Sequence, residues 1–101
     1  MARRLVDWRM FLHMSVHTPH PQAVEPLIDS MRRFGEALRT QPGLVETHVF
    51  KTDDGRLIGL ALWESRDAFE GGRHAGRDAV RDDPFDEWES EPVTGYAAES
   101  V

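Results

Sequence analysis

The sequence contains no cysteine, which excludes disulfide bonds, thiolate catalysis and cysteine-ligated metals. It also lacks an excess of basic residues: 12 lysines and arginines stand against 18 aspartates and glutamates, for a formal net charge of −6 at pH 7. Sequence-independent binding to nucleic acid needs a basic surface, and so, to a lesser degree, does binding to an anionic membrane. We therefore predict a protein that binds neither nucleic acid nor membranes.

Long apolar runs are absent as well. No segment approaches the roughly 20 apolar residues that cross a bilayer, and Asp7 and Arg9 interrupt any signal-peptide core near the start. A length of 101 residues indicates a single domain with one two-layer core. We expect this domain to span 1–101, with residues 1–8 as a loosely ordered N-terminal extension, and we expect a cytoplasmic location.

Hydrophobic periodicity divides the chain into strands and helices. Apolar residues alternate in segments that predict strands, and the turn at residues 53–55, DDG, joins two of these strands as a hairpin. Spacings of three and four residues predict a first helix that Pro42 and Gly43 end, and a second helix that Ser65 caps. In chain order the predicted elements are strand 10–18, helix 22–41, strand 44–52, strand 56–64, helix 66–80, a short helical turn that begins with Asp83 as cap and Pro84 as first helical residue, and strand 93–100.

The order β-α-β-β-α-β predicts an α+β, ferredoxin-like fold. Such a fold is a four-stranded antiparallel sheet whose two helices cover one face, since both crossovers are expected to be right-handed. The second predicted helix contains Gly71, Gly72 and Gly76, each of which weakens a helix by up to ~1 kcal/mol relative to alanine. These glycines indicate a bend or a close approach of another backbone.

The third strand, LIGLALW, is apolar on both of its faces. Successive strand residues point to opposite sides of the sheet, so Ile58, Leu60 and Leu62 share one side and Leu57, Ala61 and Trp63 share the other. Helices of one chain cover only one side, and large exposed apolar patches are rare on monomers. We therefore predict a homodimer in which two sheets pack face to face.

Two segments of the chain, QPGLVETHVF and DDGRLIGLALWESRDAF, resemble the antibiotic biosynthesis monooxygenase (ABM) family. The shared features are a Pro-Gly after the first helix, a strand ending in Phe, a hairpin, a strand ending in Trp-Glu-Ser, and an Ala-Phe at the start of the next helix. The resemblance implies a dimeric α+β barrel. It also implies a cavity, either between sheet and helices or inside the paired sheets, that holds a flat hydrophobic molecule.

Members of this family differ in activity, and the resemblance leaves several functions open. Some are cofactor-free oxygenases of polyketide phenols and anthrones, some degrade haem, and others handle small signalling molecules. Haem degraders of the family use an asparagine on the first strand, with a tryptophan and a histidine on the second helix. This sequence has no asparagine, Gly72 falls at the tryptophan position, and His74 is out of register, which argues against haem.

The leading prediction is therefore a cofactor-independent monooxygenase, with no cofactor, that acts on a small flat aromatic phenol or anthrone. One alternative is a non-catalytic homodimeric module that binds a small hydrophobic ligand. Another is an isomerase or signal-processing enzyme of the same superfamily.

The first strand carries the candidate bases. His13 and His17 share a face with Ser15 and Phe11, and a histidine can remove a proton near neutral pH to leave an electron-rich carbanion for dioxygen. Tyr96, on the strand next to the first, is a candidate for holding a phenolate oxygen. The alternative is structural: half-buried polar histidines on a partly wet face, and a tyrosine in the dimer interface.

Phe11, Ser15, Trp63 and His74 are the remaining candidates for lining the ligand cavity. For Trp63 the competing interpretation is packing beneath the second helix, and for His74 it is simple exposure. The acidic segment 82–91, DDPFDEWESE, is interpreted as a solvated connection whose two aromatics cap the core, with a mobile lid as the alternative.

No metal site is predicted from the histidines. His13 and His17 stand about 13 Å apart along a strand, whereas direct ligands must each reach about 2.1 Å from one ion. His20 lies within the proline-rich break TPHP, and His48 lies on a strand that the ferredoxin-like order does not place beside the first.

Overall fold

The chain forms a four-stranded antiparallel sheet with its helices on one side. The computed structural model describes residues 9–101, so the prediction of a loosely ordered extension at 1–8 falls outside the described part. The elements are β1 (Phe11–His17), a 3₁₀ turn (Pro21–Ala23), α1 (Val24–Leu38), β2 (Leu44–Lys51), β3 (Leu57–Trp63), α2 (Arg66–Gly72), α3 (His74–Ala79), α4 (Phe85–Trp88) and β4 (Thr94–Glu99).

The strand order is β2-β3-β1-β4, and all three pairings are antiparallel. This order confirms the predicted ferredoxin-like fold, in which β1 and β3 are central and β4 lies beside β1. Gly43 has a φ of 87°, a left-handed value that only glycine adopts readily, and it turns the chain from α1 into β2.

The second predicted helix is divided in two at Arg73. After it, Pro84 takes the N-cap position of α4 and not the first helical position that the sequence predicts, because its ψ of 69° lies outside the helical range. The first helical residue is Phe85, and its N–H donates a hydrogen bond to the carbonyl of Asp83, at 2.9 Å.

The two faces of the sheet differ in what covers them. On the helix side, Phe11 and Trp63 are opposite each other in register and are fully buried. Leu27, Met31 and Leu38 of α1 are buried on the same side. The other face is left open by the described residues of this chain, with Phe50 52% and Tyr96 53% exposed. The half-buried apolar residues of that open face are Leu12, Met14, Val16, Ile58, Leu60 and Leu62.

The glycines of the second helical segment are explained by close approach. A Cβ on Gly72 would lie 2.8 Å from the Cη2 of Trp63 and 2.9 Å from the Cβ of Gln41, and one on Gly76 would lie 2.7 Å from the ring of Phe34. By contrast, nothing lies within 4 Å of a Cβ on Gly71. In α2, packing therefore requires a glycine at position 72, whereas position 71 has room for a larger residue.

We expect these neighbouring glycines to respond oppositely to alanine. Gly72→Ala should lower the free energy of unfolding by about 1–3 kcal/mol, because the buried ring of Trp63 has no room to move. Gly71→Ala should raise it by about 0.5–1 kcal/mol through helix propensity alone. Urea denaturation of both variants measures the difference, and an increase in stability for Gly72→Ala would contradict the tight packing.

Candidate functional site

A cavity of about 700 Å³ lies between the helix-facing side of the sheet and the helices. Its sheet wall includes His13, Ser15 and His17 of β1, and its helix wall combines apolar side chains with charged ones, mostly arginines. The principal apolar lining residues are Met31, Phe34, Leu38, Ala61, Val80 and Phe85. A volume of this size is typical of sites for small organic molecules. The histidine-bearing face of β1 therefore faces the cavity, and the more apolar face of β1 is the open one.

Gly59 makes room for the polar wall of this cavity. It pairs with Ser15 across β1 and β3. A Cβ at this position would lie 3.0 Å from the Cε of Met31 and 3.1 Å from the Oγ of Ser15. Any larger residue would displace the serine hydroxyl or the methionine, so the glycine in the middle of β3 belongs to the site.

His17 is the centre of a hydrogen-bonded chain of three side chains. Its Nδ1 lies 2.5 Å from Oε2 of Glu89, and its Nε2 lies 2.9 Å from Oγ of Ser15. A carboxylate can only accept, so Nδ1–H donates to Glu89, and in the neutral imidazole Nε2 then accepts from the Ser15 hydroxyl. The side chains of His17 and Glu89 are only 11% and 7% exposed. The pair therefore fixes the orientation of the ring and directs Nε2 toward Ser15 in the cavity wall.

Main-chain contacts hold Glu89 in place, 72 residues along the chain from His17. The N–H of Ser90 donates to the carbonyl of Thr18 at 2.7 Å, and the N–H of His20 donates to the carbonyl of Trp88 at 2.9 Å. The segment after α4 is thereby fixed to the end of β1. The other carboxylate oxygen of Glu89, Oε1, is buried without a hydrogen-bond partner among the described residues.

The sequence did not identify Glu89 as part of the site. In the acidic segment 82–91, Phe85 and Trp88 do cap the core, packing against the cluster of Leu27, Met31 and Leu57, which confirms that part of the interpretation. Glu89 differs from a solvated residue because it is buried against His17. No local pattern separates it from the other acids of the segment, since its role depends on a long-range pairing with β1.

His13 occupies the opposite end of the β1 wall from His17. Its ring centroid lies 5.0 Å from that of Phe69 in α2. Burial lowers the pKa of His13, and the positive charges of Arg73 and Arg77 lower it further. The imidazole of His13 is therefore neutral at pH 7 and can both donate and accept a hydrogen bond.

The other predicted site residues lie away from the cavity lining. Phe11 and Trp63 are fully buried in the core cluster with Phe69, because α2 packs directly over this end of β1 and β3. His74 is exposed at the first position of α3. Tyr96 pairs with Met14 on the open face, on the other side of the sheet from the histidines. The structure thus brings His13, Ser15 and His17 together but not these four.

No group of three or more histidines or acidic residues within residues 9–101 is arranged to hold a metal ion. His48 is remote from the β1 histidines and contacts Glu46 of its own strand, at 2.7 Å. Over the same residues, every helix is too short or too polar to cross a bilayer.

Solved structures with the same fold are numerous but distant in sequence. Rv0793 from Mycobacterium tuberculosis matches with a TM-score of 0.78 at 17% identity, over 91% of this chain and 95% of that one. Protein SO0527 from Shewanella oneidensis matches with a TM-score of 0.78 at 11% identity, over 92% of each chain. A monooxygenase from the gene ActVA-Orf6 of Streptomyces coelicolor, in complex with nanaomycin D, matches with a TM-score of 0.71 at 18% identity, over 90% and 87%.

The family assignment comes from the sequence itself. No curated protein matches the chain at a significant level. The family model for antibiotic biosynthesis monooxygenases, however, matches residues 10–82, from the start of β1 to beyond α3, and so includes His13, Ser15 and His17 but not Glu89. Because this match covers most of the chain, and because the fold agrees with it, the chain belongs to the antibiotic biosynthesis monooxygenase family.

Proposed function

We propose that this protein is a cofactor-independent monooxygenase that acts on a small flat aromatic compound, a polyketide-type phenol or anthrone, in the cytoplasm. The observation that carries the proposal is the cavity whose polar wall holds His17 hydrogen-bonded to Ser15 and Glu89. Family membership supports it, as does the S. coelicolor neighbour, a monooxygenase solved with nanaomycin D.

In this proposal His17 is the general base. An anthrone has an acidic CH₂ opposite its carbonyl in the central ring, flanked by two aromatic rings conjugated with that carbonyl, and Nε2 of His17 takes one of its protons to leave a delocalised carbanion. Glu89 stabilises the imidazolium that forms, because its carboxylate accepts from Nδ1–H at 2.5 Å. Ser15, the hydrogen-bond partner of Nε2, gives up that contact when the substrate enters.

Dioxygen is the oxidant, and the reaction balances without a cofactor. The carbanion transfers an electron to dioxygen, and the two radicals combine through a new C–O bond. The peroxide anion takes back the proton from the imidazolium of His17, and the hydroperoxide then loses water. One CH₂ and one O₂ thus give one C=O and one H₂O. The apolar side chains on the helix wall, Met31, Phe34 and Leu38 among them, exclude bulk water and so protect the carbanion from reprotonation.

We also propose that the protein is a homodimer, joined through the open face of the sheet. Several apolar side chains of β1 and β3 share that face, and Phe50 and Tyr96 at its two sides are each about half exposed. A contiguous apolar surface of this kind is typical of an interface. In such a dimer Tyr96 lies at the interface and not beside the base.

Oxygen consumption tests the catalytic proposal. We expect the purified, chelator-treated protein to consume one O₂ per anthrone in air, above the rate of spontaneous oxidation measured without protein. With ¹⁸O₂, one labelled oxygen should enter the new carbonyl. If no anthrone or hydroquinone in a broad panel is consumed but such compounds bind, the protein is instead a ligand-binding module of this family.

A further inference from the structure

The cavity wall is basic although the protein is acidic. The chain has a formal net charge of −6, yet the cavity is lined by four arginines and by one carboxylate, that of Glu36. The lining arginines are Arg32, Arg39, Arg77 and Arg81. All four arginines are exposed, so water screens them in part, but positive residues still outnumber negative ones around the cavity and attract anions to it. The cavity therefore favours negatively charged ligands.

Three of the arginines near the helices have a carboxylate partner among the described residues, and four do not. Arg33 pairs with Asp29 and Asp83, Arg66 with Glu99, and Arg81 with Asp78. In contrast, Arg32, Arg39, Arg73 and Arg77 make no ion pair with any carboxylate among residues 9–101. Arg39 donates to the hydroxyl of Thr47, whereas the side chains of Arg73 and Arg77 have no hydrogen-bond partner within that range. Their guanidinium groups therefore retain their hydrogen-bonding capacity for a ligand.

Two of these arginines, Arg73 and Arg77, lie close enough to His13 to act on its imidazole, and of the two Arg77 lines the cavity. The guanidinium carbon of Arg73 sits 4.9 Å from the centroid of the Phe69 ring, and the ring of His13 sits 5.0 Å from the same centroid. Arg77 is one helical turn beyond Arg73 and lines the cavity together with His13. Burial is the main cause of the lowered pKa of His13, and the positive charges of Arg73 and Arg77 lower it further.

We infer that His13, Arg73 and Arg77 form an anion subsite and that the ligand of this cavity is an aromatic carboxylate. The planar guanidinium matches a carboxylate with two parallel hydrogen bonds, and the neutral imidazole adds a third donor. A flat ring attached to the carboxylate then extends along the apolar side chains of the helix wall toward His17 at the other end of β1. The inference rests on the proposed function only in taking this ligand as the substrate, since the subsite itself is a property of binding.

Equilibrium binding of a matched pair of ligands tests the subsite. We expect isothermal titration calorimetry at low salt to give anthraquinone-2-carboxylate an affinity about tenfold to a hundredfold higher than that of anthraquinone-2-carboxamide, the range expected for charge-assisted hydrogen bonds. Arg77→Gln and Arg73→Gln should each remove most of that preference while leaving carboxamide binding nearly unchanged. Raising the salt concentration should reduce the preference in the wild type.

Arg56→Gln is the matched control. It removes the same charge from the β2–β3 hairpin, where Arg56 contacts Asp54, so it should leave the carboxylate preference intact. Equal affinity of the wild type for both ligands, or no binding of either, would overturn the subsite. An equal loss in Arg56→Gln and Arg77→Gln would overturn it too, because the effect would then come from net charge. Circular dichroism verifies that each variant is folded.

The binding result is separable from the oxygenase result. A carboxylate preference without oxygen consumption leaves the subsite in place and removes the catalytic proposal. Oxygen consumption without any preference for the carboxylate supports the catalytic proposal and removes the anion subsite.

Discussion

His17→Gln should lower kcat for oxygen consumption by about 10²–10⁴-fold, the usual contribution of a positioned general base. Glutamine has a similar length and can still bond to Ser15 or Glu89, so the cavity wall keeps its shape. It cannot accept a proton at neutral pH, so the carbanion no longer forms at a useful rate. KM should change little, because the substrate is held mainly by the apolar wall. Steady-state oxygen uptake with an anthrone measures both constants.

Two further variants separate the role of the base from that of its surroundings. Glu89→Gln keeps a hydrogen-bond partner beside Nδ1 but removes the charge that stabilises the imidazolium, so kcat should fall by at least about tenfold with KM unchanged. His74→Gln makes the same chemical change as His17→Gln at an exposed position outside the cavity lining, and it should have wild-type kinetics. Wild-type oxygen consumption in His17→Gln would refute this assignment of the base.

The fold was largely predictable because its signals are local. Alternation in β1 and β3, the change of period in α1 and the glycine after Pro42 each act within a few residues, and together they predict the ferredoxin-like order that the structure confirms. The prediction that one side of β1 carries His13, Ser15 and His17 depended on equally local information. These features depend only on the two-residue period of a strand and the 3.6-residue period of a helix.

What the sequence could not predict depends on contacts between distant segments. Alternation separates the two faces of β1 but does not say which one the helices cover, and here the face with more polar residues turns toward them. Phe11 was a candidate for the cavity lining, yet α2 packs over it and places it in the core. Trp63 lies in the same cluster, in agreement with the interpretation of packing beneath the second helix. Glu89 reaches His17 only because the segment after α4 pairs with the end of β1.

A substitution on the open face should also have a large effect: Met14→Glu should convert the proposed dimer to a monomer. Met14 is central on this face, between Leu60 of β3 and Tyr96 of β4. In a symmetric dimer the substitution would bury a carboxylate from each copy without a partner, at an effective cost of several kcal/mol per ion. We expect the dissociation constant to rise by at least about 100-fold, measured by analytical ultracentrifugation over a range of concentrations.

A control variant tests whether added charge alone causes dissociation, and a binding measurement tests whether one chain forms the whole cavity. Gln22→Glu adds the same charge at an exposed position before α1, so it should remain dimeric. A folded wild-type monomer at micromolar concentration would contradict the proposed interface. Because the cavity lies within one chain, on the other side of the sheet from Met14, the folded monomeric variant should still bind ligand with nearly wild-type affinity. If it does not, the partner subunit completes the site, and the cavity of a single chain is only part of it.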